Sequence, residues 1–262
     1  MSTHNPCSDL KVKLFCDAAN IESLIAMYAR PWVQGFTTNP SLMRRAGVQN
    51  YEAFGRSVVH AIPDRPVSFE VFADDEAGME WQARHIASWG SNVYVKVPVT
   101  NTQGFSMAPL VRRLSREGIR LNVTALLTLD QVERVAEALD PATPAIVSVF
   151  AGRIADTGVD PVPLMRQAVQ MLKARPLAEL LWASSRELLN VYHAEESGTH
   201  IITATPDILS KMSLVGKDLK AYSLETVRML YQDAVSAGFT LDIPAPVHRR
   251  PVQAPRSVRA VS

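Results

Sequence analysis

The sequence predicts an α/β fold: a (β/α)8 TIM barrel with an additional C-terminal helix and a disordered basic tail. Three observations carry this reading. Short β-rich runs recur eight times, amphipathic stretches with helical spacing lie between them, and 262 residues give room for that many units around a buried core. Strand, helix, strand in alternation means parallel pairing through right-handed crossovers.

The β-rich runs fall at 12–17, 34–38, 67–72, 92–97, 119–124, 145–150, 179–184 and 200–204. Helical spacing is evident at 75–88, 105–117, 129–139 and 162–174. In the second of these, Met107, Leu110, Val111 and Leu114 recur at i, i+3, i+4 and i+7. A doubly wound open sheet is the competing arrangement, but neither G-x-G-x-x-G nor G-x-x-x-x-G-K-[ST] occurs, so the usual reason for a nucleotide-binding sheet is missing. After the eighth unit a further helix is expected at about 216–237, between Gly216 and Gly238. Its Leu219, Val227, Leu230, Tyr231 and Ala234 would pack on a barrel or on a neighbouring subunit.

Residues 1–11 read as a polar leader, 12–243 as a single barrel domain with its C-terminal helix, and 244–262 as a tail. The tail holds Arg249, Arg250, Arg256 and Arg259 among Pro244, Pro246, Pro251 and Pro255, with no acidic residue, and lacks the apolar content to order itself.

Composition excludes several classes. Hydrophobic residues at 47% and charged residues at 20% fit a globular protein, not a disordered, collagenous or coiled-coil one. A net charge of +1 gives no global reason to bind nucleic acid or an anionic membrane. Cys7 and Cys16 supply neither a disulfide framework nor a CxxC site. No apolar run approaches the roughly 18 residues of a membrane span, and the N-terminus lacks a signal-like apolar region. A cytoplasmic protein acting on small molecules is expected.

Strand parity then locates a site. Side chains alternate between the barrel lumen and the helix layer, and the helix-facing set must be apolar. That set is Val93, Val95 and Val97 in the fourth run, leaving Asn92, Tyr94 and Lys96 for the lumen; in the third, Val67, Phe69 and Val71 leave Ser68, Glu70 and Phe72. The same rule turns Asp17, Asn122, Thr124 and Ser148 inward, near the C-terminal ends of their strands, where barrel enzymes keep their sites. Each alone is compatible with a structural ion pair or an edge charge. Burying all six without function would cost several kcal/mol.

Lys96 is the most informative of them. It is the only lysine between Lys13 and Lys173, although arginine is used freely in that interval, so this position requires an amine that can lose its proton. Burial disfavours an ammonium, and a neutral amine can attack a carbonyl to form a Schiff base. Aldol-type chemistry on a ketose and pyridoxal phosphate catalysis both use such a lysine.

These residues resemble the transaldolase family, in a short form related to the fructose-6-phosphate aldolases. The resemblance rests on TTNPSL at 37–42, VSFEVFAD at 67–74, VYVKVPVT at 93–100, LNVT at 121–124, SVFAGRI at 148–154 and ASSR at 183–186. It implies a (β/α)8 barrel without metal or cofactor, with Lys96 as the Schiff-base lysine. It also implies Asp17 as the acid/base at the C4 hydroxyl, and Glu70 with Thr124 holding a proton-shuttling water. Asn39, Asn122 and Ser148 would bind the dihydroxyacetone moiety, and Arg153, Ser184 and Arg186 the substrate phosphate.

Glu70 and Phe150 are similar to the transaldolase pattern, where the aldolases resemble it with Gln and Tyr. Without a tyrosine hydroxyl to protonate the carbanionic intermediate, the three-carbon unit should wait for an aldehyde acceptor. The family resemblance also implies a homo-oligomer. Ala18, Val149, Trp182 and Ser185 depart from the pattern, and parity with Ser184 turns Trp182 toward the lumen. An aldolase releasing free dihydroxyacetone and a non-catalytic sugar-phosphate binding barrel are the alternatives.

Overall fold

The computed structural model describes residues 10–241, in two compact units that divide between Val215 and Gly216. Most of the expected leader and all of the expected tail lie outside the described residues. In the first unit eight parallel strands close into a barrel in chain order. They are β1 (Lys13–Asp17), β2 (Val33–Thr37), β3 (Val67–Glu70), β4 (Val93–Pro98), β5 (Leu121–Leu126), β6 (Ala145–Val149), β7 (Ala178–Trp182) and β8 (Ile201–Ala204), and β8 pairs back to β1.

Helices fill every connection. After β1 comes α1 (Ile21–Tyr28); α2 (Pro40–Arg45) and α3 (Tyr51–Ala61) follow β2; α4 (Glu76–Ala87), α5 (Ala108–Arg116) and α6 (Leu129–Ala138) follow β3, β4 and β5. Two helices, α7 (Ala151–Asp156) and α8 (Pro161–Leu172), follow β6; α9 (Leu189–Ser197) follows β7 and α10 (Pro206–Ser210) follows β8. Their starts are written in the sequence. Asn20, Asn39, Asn50 and Asp75 each accept a backbone N–H at a helix N-terminus, and Thr128 with Gln131 forms a reciprocal capping box on α6. The predicted stripe on α5 is buried at Leu110, Val111 and Leu114.

The core has two parts. Between sheet and helices lie the expected apolar sets, Val93, Val95 and Val97 with Val67, Phe69, Leu121, Val123, Val147 and Val149; complete burial of such side chains contributes about 1.5–3 kcal/mol each. A second cluster of Phe15, Ile146, Leu181, Ala183 and Ile201 fills the lumen, with Tyr94 and Phe150 packed against it. Gly35 on β2 makes room for it, since a Cβ there would lie 2.4 Å from the Phe15 ring. At the N-terminal mouth Lys13 meets Glu179 at 2.8 Å, a partly exposed pair of the kind that contributes little.

Three parity expectations are corrected. Trp182 does not face the lumen: it is buried in the outer core and its ring lies 6.2 Å from that of His193 on α9. Leu181 and Ala183 hold the lumen side of β7 instead, and Ser184 at φ 61° breaks the alternation between 182 and 184. Phe72 lies past the end of β3, exposed, edge-on to Tyr51. Asn92 precedes β4 and its amide donates to the carbonyls of Ile62 and Arg65.

The second unit contains α11 (Leu219–Ser236), where the sequence places a helix. Asp218 caps it by accepting from the Ala221 N–H, and Leu219, Val227, Leu230 and Tyr231 are exposed.

Candidate active site

At the C-terminal ends of the strands lies a cavity of ≈ 460 Å3, and every residue selected from the sequence lines it: Asp17, Asn39, Glu70, Lys96, Asn122, Thr124, Ser148, Phe150, Arg153, Ser184 and Arg186. Strand register explains the convergence. Glu70 pairs with Lys96, Lys96 with Asn122, and Pro98 with Thr124, so the polar side chains of β3, β4 and β5 share one face at matching heights.

Lys96 is buried at the centre. Its Nζ donates to the Thr38 carbonyl at 2.9 Å and lies 3.3 Å from Oε2 of Glu70. Replacing an amine anchored in this way by Ala would leave Glu70 uncompensated. The adjacent carboxylate can also accept a proton when the amine must act as a nucleophile. Thr124 Oγ1 is buried and has no hydrogen-bond partner among the described residues, so a polar ligand atom or a water can bind there.

Asp17 stands on β1 with both carboxylate oxygens engaged. Thr37 Oγ1 donates to Oδ1 at 2.9 Å and Asn39 Nδ2 to Oδ2 at 3.1 Å. Asn39 is fixed in turn because its Oδ1 caps α2 through the Leu42 N–H. Although part of Asp17 faces the cavity, desolvation by the barrel wall raises its pKa above the usual carboxylate value, against the lowering effects of Lys96, Thr37 and Asn39. A raised carboxyl pKa suits a group that must both take and return a proton.

Across the lumen, Ser148 Oγ donates to Asn122 Oδ1 at 2.6 Å, and Asn122 Nδ2 donates to Ser68 Oγ at 3.0 Å. With its proton committed, Ser148 can accept from a substrate hydroxyl, while Asn122 keeps one amide hydrogen to donate.

The third region is built by close approach. Gly152 at the start of α7 lies so near the 184 loop that a Cβ would fall 1.6 Å from the Ser184 carbonyl oxygen. The Gly152 N–H donates to Ala183 O at 3.2 Å. This contact brings Arg153 beside Ser184 and Arg186. Arg153 lies over the Phe150 ring at 5.6 Å. Arg186 is already occupied: it forks onto Asp156 and donates to the Ser184 carbonyl. Two guanidinium groups and a hydroxyl suit a phosphate, with Asp156 pre-orienting one of them.

Several lining residues were not selected from the sequence: Thr37, Arg45, Ala125, Ser185, Thr203 and Thr205. Thr37 and Thr203 obey the same parity rule, opposite the core residues Phe36 and Ile202, and would have been found by extending it to β2 and β8. Ala125 at φ 66° sits where the β5–β6 register shifts, a feature no alternation pattern reveals. Among the described residues, no group of three or more His, Cys, Asp or Glu side chains is arranged to hold a metal ion.

A strand-end lysine paired with a carboxylate, inside the segments singled out above, coincides with a family match over residues 14–243 to Transaldolase/Fructose-6-phosphate aldolase. The chain belongs to this family. Curated relatives agree. A protein named "Probable transaldolase" from Dehalococcoides mccartyi is 34% identical over 202 residues, covering 77% of this chain and 90% of its own. One of the same name from Methanococcus maripaludis is 36% identical, covering 77% and 89%. Among solved structures, a "putative dihydrodipicolinate synthase family protein" from Coccidioides immitis matches with a TM-score of 0.56 at 14% identity, over 89% of this chain and 80% of that one. At such identity the likeness concerns the barrel alone. Membership of this family fits a small-molecule ligand.

Proposed function

We propose that the protein is a transaldolase, moving a dihydroxyacetone unit from a ketose phosphate to an aldose phosphate through a Schiff base on Lys96. The observation that carries this reading is the buried Lys96 Nζ 3.3 Å from Glu70, facing a cavity that also holds Asp17 and an unpartnered Thr124 hydroxyl. The Lys96 amine adds to the C2 carbonyl of the donor and water leaves, giving an iminium ion. Asp17 takes the proton of the C4 hydroxyl as the C3–C4 bond breaks, releasing an aldose phosphate and leaving an enamine on Lys96. C3 of the enamine then attacks the acceptor aldehyde, and Asp17 returns its proton to the new hydroxyl. Water hydrolyses the iminium and frees the new ketose phosphate.

Each remaining residue has a task in this sequence. Glu70 and Thr124 hold the water formed and later consumed. Asn39, Asn122 and Ser148 bind the hydroxyls of the three-carbon unit, and Arg153, Ser184 and Arg186 grip the phosphate. Phe150 offers no hydroxyl to protonate the enamine, which favours transfer over release of free dihydroxyacetone. We further read the chain as a cytoplasmic homo-oligomer of sugar-phosphate metabolism, including the pentose phosphate pathway. Among the described residues no helix is long and apolar enough to cross a membrane, and the exposed apolar face of α11 supports self-association, which light scattering tests.

Borohydride reduction in the presence of fructose 6-phosphate tests the chemistry. The intact mass should rise by one three-carbon unit located on Lys96, and Lys96→Ala should show none. No mass shift, or an equal shift in Lys96→Ala, overturns the mechanism.

A further inference from the structure

Asp17 is braced by more than its immediate partners. Thr203 on β8 and Thr37 on β2 come from the two strands that flank β1, and their hydroxyl oxygens lie 2.7 Å apart. Both residues are buried. Thr37 has a single hydroxyl proton, and it is directed at Asp17 Oδ1, 2.9 Å away. The 2.7 Å contact therefore has only one available proton while Asp17 is ionised: that of Thr203, donated to the oxygen of Thr37. A donor that is itself receiving a hydrogen bond is polarised and donates more strongly.

Thr203 is held in place for this. Its backbone carbonyl accepts from Ser185 Oγ at 2.8 Å, and its β-branched side chain has restricted χ1 freedom. Nothing in the reaction scheme above uses Thr203 directly, and a buried hydroxyl costs free energy unless it is paired.

We propose that Thr203 is a positioning residue for Asp17, acting through Thr37. The inference rests on the transaldolase reading, in which Asp17 takes and returns the C4 hydroxyl proton. With Asp17 charged, the hydrogens point Thr203 to Thr37 to Asp17. When Asp17 holds the proton, it can donate to Thr37 and the pair of hydroxyls can reverse. No proton leaves the chain, and the two hydroxyls follow the charge of the carboxyl at each half of the cycle. The charged groups facing Asp17 are Lys96 on β4 and Glu70 on β3; Arg45, Arg153 and Arg186 line the same cavity farther round its rim.

The test compares Thr203→Val, which keeps shape and loses the hydroxyl, with Thr203→Ser, which keeps it. The Asp17 carboxyl is followed by carbon NMR against pH, and kcat and KM are measured across the same range. Without the Thr203 hydroxyl, Thr37 is no longer polarised and donates less strongly to the carboxylate, so in Thr203→Val the Asp17 midpoint moves upward and the acidic limb of the rate profile moves with it. At neutral pH kcat should fall about 5- to 10-fold, the size of one hydrogen bond between neutral groups, since the bond lost is the one from Thr203 to Thr37, with KM changed by less than about 2-fold. Thr203→Ser should restore both. Borohydride trapping on Lys96 should persist in Thr203→Val, because Schiff-base formation does not need Asp17. If Thr203→Val does not fold, Thr203→Ala is titrated instead. An Asp17 midpoint identical to that of the unsubstituted protein overturns the role of Thr203, even where trapping succeeds. Failure of the unsubstituted protein to be trapped overturns the transaldolase reading itself, and this inference with it.

Discussion

Gly152→Ala separates the phosphate grip from the covalent chemistry. The new Cβ would fall 1.6 Å from the Ser184 carbonyl oxygen and 2.6 Å from its carbonyl carbon, both backbone atoms that cannot rotate away. To reach even 3.0 Å, the shortest separation real Cβ atoms show, α7 and the 184 loop must part by about 1.4 Å. Ser184 is already in the left-handed region, so the loop has few alternative conformations to adopt. Overpacking of this kind costs about 1–3 kcal/mol of stability. A shift of about 1 Å in a positioning group is enough to cost about 100-fold in rate. The kcat/KM for phosphorylated donors should therefore fall by about two orders of magnitude, as Arg153 moves away from Ser184 and Arg186. Glu70, Lys96 and Thr124 belong to β3, β4 and β5 and should stay in place. The assay pairs steady-state kinetics on fructose 6-phosphate with borohydride trapping of unphosphorylated dihydroxyacetone at saturating concentration. An unchanged kcat/KM in a folded variant would refute the argument from close approach, and so would loss of trapping alongside a normal melting profile.

Phe150→Tyr should raise acceptor-independent formation of glyceraldehyde 3-phosphate from fructose 6-phosphate, because the new hydroxyl can protonate the enamine; a coupled dehydrogenase assay showing no such product would count against that role. Burial pushes the Cys16 thiol up to about 12, with the neighbouring Asp17 adding to the effect, so the thiolate is scarce at ordinary pH. Iodoacetamide at pH 8 should leave Cys16 unmodified in the folded protein and label it after denaturation, as read by peptide mass; full labelling under native conditions would contradict this.

Much of the site was legible because barrel strands obey a strict alternation. Val93, Val95 and Val97 identify the helix side of β4 without ambiguity, and Lys96 then has nowhere to point but inward. The rule fails where the backbone leaves the β region. Ser184 and Ala125 both take positive φ, and hydrophobicity carries no information about the sign of a dihedral, so Trp182 was assigned to the wrong side of its strand. Ion pairing between helix and loop is equally invisible to periodicity: nothing in the spacing of Asp156 and Arg186 announces their contact. Phosphate-gripping roles came through the family resemblance, whereas Thr37 and Thr203 needed only the same parity rule extended to β2 and β8. Glycine borders set the expected helix at about 216–237, where the structure has α11 at Leu219–Ser236, and Gly216 and Gly238 do take positive φ.

The apolar plug of Phe15, Ile146, Leu181, Ala183 and Ile201 gives the barrel a floor. Among the described residues that leaves one doorway, at the strand C-termini. Under the proposed chemistry, donor, first product, acceptor and second product must use that doorway in turn, and the first product has to depart before the acceptor can enter. A non-covalently held three-carbon fragment would be free to escape through the same opening during the exchange. The covalent bond to Lys96 then serves as a tether as well as an electron sink. Rates measured over a grid of donor and acceptor concentrations should accordingly give parallel double-reciprocal lines rather than intersecting ones.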